Sequence, residues 1–397
     1  MAVQVKVGPI GLLDMLKFKN QAKTREQVIK KTPAAPLPKE YNTNRNARLL
    51  HPEYQKLVVE DILVHSQDVK TFVFHTKNGE PGAYFRAGQY LSFQLEIGES
   101  KITRPISICS SPAEALKGKY AITVKRAGFA SDHMLDHWEI GQQVTASAPQ
   151  GNFYYERLRD SKKVIGLAGG SGITPFLSMA LAIAGGEEDF ELTVLYGSRG
   201  KKDILFLDEF TRLSKECSQI KLVNVLSEET AEDCEKGFLT AELIKKYMGG
   251  QSCSIFMCGP QAMYNFVNGE LEKLEIPGKY IRRELFGASK QPWTLPGYPS
   301  ECRGKEVKVT LSQCGKKYEF AASTDETLLV AIERAGITAP SRCRSGECGW
   351  CRSKLLQGEV FIPQDTDGRR KADKEYGYIH PCVSYPLTDI VMDIPNA

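Results

Sequence analysis

Hydrophobic and polar residues alternate in short runs between Leu57 and about Tyr155. Gly, Asn, Asp and Pro residues separate these runs at intervals that suit antiparallel strands. In order, the runs are KLVVEDILVHS, VKTFVFHT, GQYLSFQLEI, KYAITVKRA and QQVTASAPQGNFYY. The pattern predicts a small antiparallel β-barrel of the Greek-key type.

The pattern changes from Lys162 to about Glu284, where apolar, β-branched runs alternate with helical segments. The strand-like runs are KKVIGLAGG, ELTVLYGS, IKLVNVLS and CSIFMCG, and the helical segments include TPFLSMALAIAG, DILFLDEFTRLSKEC and TAELIKKYMG. Strands that are apolar throughout are buried on both faces, so this region predicts an α/β domain with a parallel sheet between helices.

A third pattern fills the C-terminal quarter of the chain. EVKVTLSQ and KKYEFAAS predict a hairpin around Cys314 and Gly315. The helix ETLLVAIERAG follows, with Ser323 and Glu326 at capping-box spacing and Gly336 at its end. With the strands RSKLLQGEVF and TDIVMDI, these elements predict a small α+β domain of the β-grasp type.

Two segments have the composition of linkers. KTPAAPLPKEYNTNRN predicts an extended linker, and SKQPWTLPGYPSECRG predicts a second one, in which Trp293 and Leu295 are expected to lie against a domain. The predicted boundaries are an N-terminal extension and linker at 1–52, the barrel at 53–158, the α/β domain at 159–288, a linker at 289–304 and the C-terminal domain at 305–397.

The N-terminal segment GLLDMLKFK predicts a short helix with Leu12, Leu13, Met15 and Leu16 on one side. The simpler expectation is that this helix packs on its own protein or stays mobile. Docking of the N-terminal arm to a partner or a membrane surface is the alternative.

Composition narrows the possible functions. With 42% hydrophobic and 25% charged residues, the chain has an ordinary globular composition, and a net charge of +4 is too small to favour nucleic acid as a partner. No apolar run approaches the ~20 residues of a transmembrane helix, and the N-terminus is a poor secretory signal. Eleven irregularly spaced cysteines favour a reducing compartment over a disulfide framework. We therefore expect a cytoplasmic protein.

The segment SRCRSGECGWCRS concentrates candidate metal ligands. Cys343, Cys348 and Cys351 have the spacing C-x4-C-x2-C, and Cys382 follows after thirty intervening residues. This is the spacing of plant-type [2Fe-2S] sites, where small residues let backbone N–H groups approach the sulfides. A structural zinc site is the alternative, although such sites usually have two C-x2-C pairs.

Four other segments suit a bound nucleotide. Gly169 to Pro175 follow the apolar strand VIGLA and open a helix, and Cys258-Gly259-Pro260 end a later strand, where open α/β sheets bind ligands. In the barrel, the run RPISICS from Arg104 combines a cation with hydroxyl groups, and the loop KRAGFASDHM could hold a second phosphate. Taken alone, RPISICS could also be an edge strand with a surface arginine.

The ordered motifs RPISICS, GFASDHM, GGSGITPF, MCGPQAM and RRELFG resemble the signature of the ferredoxin-NADP reductase-like flavoproteins. Together with the C-terminal cysteine pattern, residues 54–397 resemble the reductase components that feed oxygenases and the hybrid-cluster-protein reductases. The resemblance implies an NAD(P)H-dependent enzyme that passes electrons through a flavin and a [2Fe-2S] cluster to a one-electron acceptor protein. That acceptor would be an oxygenase component, a ferredoxin, a cytochrome or a similar protein.

The resemblance also implies roles for individual residues. The flavin site would comprise Arg104, Pro105, Ile106, Ser107, Gly128, Ala130, Ser131 and Phe286. The nicotinamide nucleotide would contact Gly170, Gly172, Thr174, Pro175, Ser198, Arg199, Cys258, Gly259 and Pro260. The catalytic set would be Cys258, Thr174 and Glu284, and the cluster ligands would be Cys343, Cys348, Cys351 and Cys382.

One residue departs from the family pattern, because Ile106 stands where an aromatic residue usually stacks on the flavin ring. RPISI is similar instead to the electron-transfer subunit of some dihydroorotate dehydrogenases, so a subunit of a larger redox complex is an alternative. A non-catalytic, zinc-stabilised nucleotide-binding protein is the third hypothesis.

Two further choices concern the cofactors and the acceptor. A second phosphate site favours FAD over FMN. We expect NADH as the electron donor, and NADPH is the alternative because Arg199 could accommodate a 2′-phosphate. Arg342, Arg344 and Arg352 are expected to be exposed around the cluster, where they would favour an acidic acceptor surface or be simply solvated.

Overall fold

The computed structural model describes residues 9–32 and 41–396 and divides the chain into two compact units, Met1–Ala47 and Arg48–Ala397. The N-terminal helix α1 spans Pro9–Lys31, so it is much longer than predicted. Its Leu13 and Leu16 are largely exposed, and the side chains of Leu12 and Met15 lie outside the described residues.

The prediction of an extended linker is wrong for its C-terminal part, because Asn42–Leu50 form helix α2. Asn and Thr at the start of α2 favour helix capping, and the Ala, Arg and Leu residues that follow favour helix. The prolines of the predicted linker lie outside the described residues.

The first sheet is antiparallel, as predicted, with the strand order β4-β3-β6-β1-β2-β5. Its strands are β1 Tyr54–Ser66, β2 Val69–Thr76, β3 Tyr90–Ile97, β4 Ser100–Ser107, β5 Lys119–Lys125 and β6 Gln143–Ser147, with helices α3 Pro112–Leu116 and α4 Phe129–His137. Alternate strand residues point inward and pack around Trp138, whose ring contacts Phe72, Phe74 and Phe93. Helix α4 follows β5 and places its first turn at the sheet's edge.

The second sheet is parallel, with the order β10-β9-β8-β7-β11-β12. Its elements are β7 Lys163–Gly169, α5 Thr174–Ala184, β8 Glu191–Ser198, α6 Leu207–Glu216, β9 Ile220–Leu226, β10 Glu235–Lys236, α7 Ala241–Met248, β11 Ser254–Cys258, α8 Gln261–Glu272 and β12 Ile281–Glu284. Separate hydrophobic clusters cover its two faces, which confirms the predicted three-layer arrangement. The strand order reverses between β7 and β11, and a crevice at the carboxyl ends of the strands is expected there.

The third sheet is mixed, with the order β14-β13-β19-β15-β17 and a parallel β13–β19 pair. Its region contains β13 Glu306–Gln313, β14 Lys316–Ser323, α9 Leu328–Arg334, β15 Ser353–Gln357, β16 Val360–Phe361, α10 Lys371–Glu375, β17 Tyr378–Ile379, β18 Tyr385–Pro386 and β19 Ile390–Ile394. Cys314 and Gly315 both adopt positive φ angles, 49° and 79°, in the tight turn of the predicted hairpin.

The predicted capping box is displaced from the helix start. Helix α9 begins after Thr327, whose hydroxyl accepts a hydrogen bond from the Val330 amide. Ser323 is still the last residue of β14, so its amide donates to the Glu326 carboxylate in the turn before the helix. The expectation for the second linker is confirmed, because Trp293 and Leu295 pack against the cluster formed by Tyr298, Phe361 and Tyr385.

Among the described residues, no helix is long and apolar enough to cross a bilayer.

Candidate functional site

The reversal of strand order brings the glycine-rich turn against the end of strand β11. A Cβ atom at Gly172 would lie 2.1 Å from the Cys258 carbonyl oxygen, so only glycine allows this contact. Gly170 adopts a φ of +53°, which also favours glycine. The Thr174 hydroxyl donates to the Ser171 carbonyl oxygen at 2.9 Å and holds the turn at the start of α5.

Cys258 and Glu284 lie side by side, because β11 pairs in parallel with β12 and these two residues are register partners. Both are buried. Burial raises the pKa of the Glu284 carboxyl well above its usual range, and the negative charges of Glu347 and Cys343 raise it further. Burial, and then Glu284, raise the pKa of the Cys258 thiol. In this corner, burial therefore favours the uncharged thiol and the uncharged carboxyl.

Strand β4 runs along the opposite wall of the crevice. Arg104 is half-buried and donates from Nη1 to the Thr103 carbonyl oxygen at 2.8 Å. Desolvation and the neighbouring Arg344 charge lower the pKa of Arg104 to about 10. Arg104 nevertheless stays a cation at neutral pH, and Ser107 at the end of the strand is buried.

The loop between β5 and α4 closes on itself. The Ser131 hydroxyl accepts from the Ala127 amide at 2.8 Å and donates to the Gly128 carbonyl oxygen at 2.7 Å. Gly128 has a φ of +123°, in the region that favours glycine. Ser131 therefore shapes this loop at the start of α4, where free amide groups suit an anion.

These walls enclose one cavity of about 860 Å³. It is lined by most of the predicted nucleotide residues, namely Arg104, Pro105, Ile106, Ser107, Gly128, Ala130, Ser131, Gly170, Gly172, Thr174, Cys258, Gly259, Pro260 and Phe286. The cluster ligand Cys382 lines the same cavity. Residues of all three sheet regions thus meet around one space.

Of the residues predicted for the flavin, the nucleotide or catalysis, four are not part of that lining. Pro175 is buried in the first turn of α5, and Glu284 lies behind the wall beside Cys258. Ser198 is half-buried at the carboxyl end of β8, and Arg199 follows it as an exposed residue.

Two lysines of the site were missed at the sequence level. Lys125 Nζ lies 3.7 Å from the position of a Cβ atom at Gly170, and Lys290 Nζ lies 3.4 Å from the Ala127 carbonyl oxygen. Both line the cavity beside the candidate phosphate loops. Lys125 could have been found, since it ends the strand before GFASDHM, whereas Lys290 comes from the second linker without a local signal.

The four predicted cluster ligands converge. The Cys351 and Cys382 Sγ atoms are 3.4 Å apart, and Cys343 Sγ accepts from the Ser345 and Cys348 amides at 3.5 and 3.4 Å. Hydrogen bonds from Cys348 and Cys382 lower the pKa of the Cys343 thiol and favour the thiolate, which is the ligand form. All eleven cysteines are free.

The loop fits a two-iron cluster. Gly346 has a φ of +83°, and a Cβ atom there would lie 2.1 Å from the Thr366 carbonyl oxygen. Among the described residues, no group of three His, Cys, Asp or Glu side chains is arranged to hold one ion. A [2Fe-2S] cluster needs only two thiolates at each iron. The cavity, with glycine turns and cations at both ends, likewise fits a flavin dinucleotide beside a nicotinamide nucleotide.

The expectation of three exposed arginines around the cluster is wrong for two of them. Arg342 and Arg344 are buried. Arg344 donates to both Glu333 carboxylate oxygens at 2.5 and 2.9 Å, and Arg352, which is partly exposed, pairs with Asp373. These partners lie 11 and 21 residues away in the chain, so no local pattern indicated them.

Family models match the chain in three places. An oxidoreductase FAD-binding domain matches residues 56–155, an oxidoreductase NAD-binding domain matches 167–269, and a 2Fe-2S iron-sulfur cluster binding domain matches 311–387. These matches favour the iron-sulfur cluster over the zinc alternative and FAD over FMN.

Curated relatives resemble the chain over almost their entire length. One subunit of the 1,2-phenylacetyl-CoA epoxidase of Escherichia coli (strain K12) is 28% identical over 355 residues, which cover 86% of this chain and 97% of the relative. The ferredoxin reductase component of 3-ketosteroid-9-alpha-monooxygenase of Mycobacterium tuberculosis is 28% identical over 354 residues, with 85% and 94% covered.

Among solved structures, phthalate dioxygenase reductase has a TM-score of 0.62 and 25% sequence identity, covering 86% of this chain and 98% of that one. An intact type IV self-sufficient cytochrome P450 monooxygenase shares the fold, with a TM-score of 0.56 and 18% identity, over 91% of this chain and 43% of that one. The order of three modules along the chain therefore recurs in solved structures.

Proposed function

The chain belongs to the ferredoxin-NADP reductase-like flavoproteins with a C-terminal [2Fe-2S] ferredoxin domain, and on this premise we propose that it is the NADH-dependent reductase component of an oxygenase. The family passes electrons from NAD(P)H through FAD to the cluster. A nicotinamide donates two electrons together and the cluster accepts one at a time, so the flavin between them converts pairs into single electrons.

One observation carries the proposal: the nucleotide turn, the flavin strand and Cys382 line a single cavity. Electrons that enter at the turn beside Cys258 can reach a cluster ligand without leaving that space. The named relatives include the reductase component of a monooxygenase and phthalate dioxygenase reductase, which supports an oxygenase as the acceptor over a dihydroorotate dehydrogenase-like complex.

On the nucleotide side, Gly170, Gly172 and Thr174 would hold the pyrophosphate at the start of α5, assisted by the Lys125 cation. Cys258 would lie beside the nicotinamide, with Glu284 behind it. Burial favours the uncharged form of both groups, so neither would place a fixed charge beside the transferred hydride.

On the flavin side, Arg104 would bind a phosphate oxygen, and Ser107 with Ile106 would border the ring. The Gly128–Ser131 loop and Lys290 would hold the second phosphate of FAD, with Ala130 buried below it. Phe286 is 42% exposed and contacts Tyr90 edge-on, so it could cover the ring in place of the aromatic residue missing at position 106.

Three further assignments belong to the proposal. Ser198 would bind the ribose 2′-hydroxyl of NADH, and the exposed Arg199 would contribute little to this choice. The domain boundaries are those derived from the sequence.

The N-terminal arm would dock an acidic face of the partner, because residues 1–50 carry ten Lys and Arg against three Asp and Glu.

An anaerobic absorbance titration tests the electron path. We expect NADH to bleach the flavin and cluster bands of the purified protein at lower concentrations than NADPH does. Bleaching at lower concentrations of NADPH than of NADH would contradict the nucleotide assignment. The absence of flavin and iron-sulfur bands would contradict the whole proposal.

The Cys382→Ser variant tests the position of the cluster in the path. It should keep flavin reduction by NADH and lose reduction of a one-electron protein acceptor such as cytochrome c, because the damaged cluster follows the flavin. Loss of both activities to the same extent, in protein that still holds its flavin, would contradict this order.

A further inference from the structure

Arg342 occupies an unusual position directly before the cluster ligand Cys343. Its side chain is buried, with 6% of the residue exposed. The guanidinium carbon lies 3.5 Å from the centroid of the Trp350 ring and 5.7 Å from that of the Tyr54 ring. Trp350 belongs to the cluster loop and Tyr54 to strand β1, so aromatic groups from two sheet regions surround this cation.

In the part of the chain that the structure describes, no carboxylate pairs with the positive charge of Arg342. Within residues 9–32 and 41–396, Arg342 forms no ion pair, and its buried Nε has no hydrogen-bond partner. The two other arginines of the loop differ, since Glu333 neutralises Arg344 and Asp373 neutralises Arg352. Among the three arginines of the loop, Arg342 therefore differs in having no paired carboxylate, and it directly precedes Cys343 in the sequence.

The two rings explain how this charge is tolerated. An aromatic face attracts a cation electrostatically but carries no net charge, so it stabilises the guanidinium without cancelling its field. A carboxylate at the same place would cancel that field at the cluster. The stacking thus fixes a full positive charge on the loop that carries Cys348 and Cys351, and the cluster that this loop would hold becomes more negative on reduction.

We propose that Arg342 raises the reduction potential of the [2Fe-2S] cluster. The net charge around an iron-sulfur cluster is one of the factors that set its potential, and a buried cation favours the more negative, reduced form. Since the charge is buried, dissolved salt screens it weakly. The consequence is a bias of the electron toward the cluster and away from the flavin. The inference depends on the cluster but not on which protein accepts its electrons.

Redox titration of the full-length protein, with the cluster signal followed by electron paramagnetic resonance, tests the proposal. In R342Q, which removes the charge and keeps a long polar side chain, we expect the equilibrium constant for cluster reduction to fall about tenfold, or about 59 mV for one electron. The shift should persist at high salt. Dithionite serves as the reductant, so the result does not depend on NADH binding or on the acceptor.

Two variants separate charge from packing. R342K keeps the charge and should keep the wild-type potential. The double variant R352Q/D373N removes the ion pair between Arg352 and Asp373 of α10, which has no net charge, and should also keep the wild-type potential. An unchanged cluster potential in R342Q would overturn the proposal. So would a fall in the potential of R342K or of the double variant that equals the fall in R342Q.

A third variant covers the case in which R342Q does not retain its iron. In W350L, water would reach the guanidinium and screen its charge, so the potential should still shift in the negative direction. A wild-type potential in iron-loaded W350L would then overturn the proposal.

Discussion

At the residue scale, Gly172 shows how one missing side chain brings two parts of the site together. From the sequence alone, the expected reason for this glycine is that a pyrophosphate must approach the backbone. The structure adds a second reason, the contact between this turn and the Cys258 carbonyl oxygen. Any side chain at Gly172 would separate the phosphate-binding turn from the strand end where the nicotinamide is expected.

We expect Gly172→Ala to lower kcat/KM for NADH at least tenfold, since its Cβ would lie 2.1 Å from that oxygen and the turn must move. Steady-state reduction of ferricyanide measures this. Gly269→Ala is the matched control, because nothing lies within 4 Å of a Cβ at that position in α8. The control should retain activity and unfold at the same or a higher temperature. Equal activity in both variants would show that the close contact is not needed.

At this scale the sequence is informative about local spacing and uninformative about burial. The structure brings together the four cysteines whose spacing predicted cluster ligands. The surroundings of the three arginines of the loop could not be predicted from the sequence. Arg344 and Arg352 pair with carboxylates on distant elements, and Arg342 stacks on two aromatic rings. A charged residue in a sequence gives no sign of whether it will be solvated, paired or stacked.

At the element scale, helix α9 and the cluster loop are both attached to strand β4. Glu333 at the end of α9 binds Arg344, and its carbonyl oxygen accepts from the Ser100 hydroxyl at 3.2 Å. The Thr103 and Ser341 hydroxyls are 2.6 Å apart. These contacts hold the cluster loop against the strand that carries Arg104, so the relative position of the two cofactor sites depends on them.

The Glu333→Gln substitution should lower the free energy of unfolding by about 3–5 kcal/mol, because it leaves the buried Arg344 charge without its counter-ion. Chemical denaturation monitored by circular dichroism measures the loss. The control is Glu216→Gln, which breaks the exposed pair with Arg212 in α6 and should cost at most about 0.5 kcal/mol. Similar small effects of both substitutions would mean that the buried pair does not stabilise the interface.

The hydrophobic patterns predicted the three sheets and most helices, since strand alternation and helix periodicity are local properties. Element boundaries were less predictable. Ser323 has capping-box spacing but is held in β14 by its pairing with Glu306, so α9 starts only after Thr327. Asn42–Leu50 follow a proline-rich run that suggested an extended chain, although their own composition favours helix.

At the scale of the whole molecule, residues 48–397 contain all the parts that the electron path needs. The family matches begin at residue 56, and the matches to the two curated relatives cover 94% and 97% of their length but only 85% and 86% of this chain. The first unit, Met1–Ala47, is compact in itself. Its basic character is the ground for the partner-docking role that we propose for it.

Deletion of residues 1–47 should therefore leave flavin content, iron content and the rate of flavin reduction by NADH unchanged. Reduction of the physiological acceptor should become slower and less dependent on salt, because the basic arm is lost. Stopped-flow absorbance measures the first rate, and acceptor reduction at several salt concentrations measures the second. A truncated protein that loses its flavin would show instead that the arm supports the reductase core.

The central claim is that three sites around one cavity pass electrons in a fixed order. The most direct measurement is anaerobic mixing with one equivalent of NADH, with flavin absorbance followed by stopped flow and the reduced cluster followed by freeze-quench electron paramagnetic resonance. We predict that the flavin band bleaches first and that the signal of the reduced [2Fe-2S] cluster grows as the flavin is partly reoxidised. A cluster that remains oxidised beside a fully bleached flavin, or that is reduced before the flavin, would contradict the account.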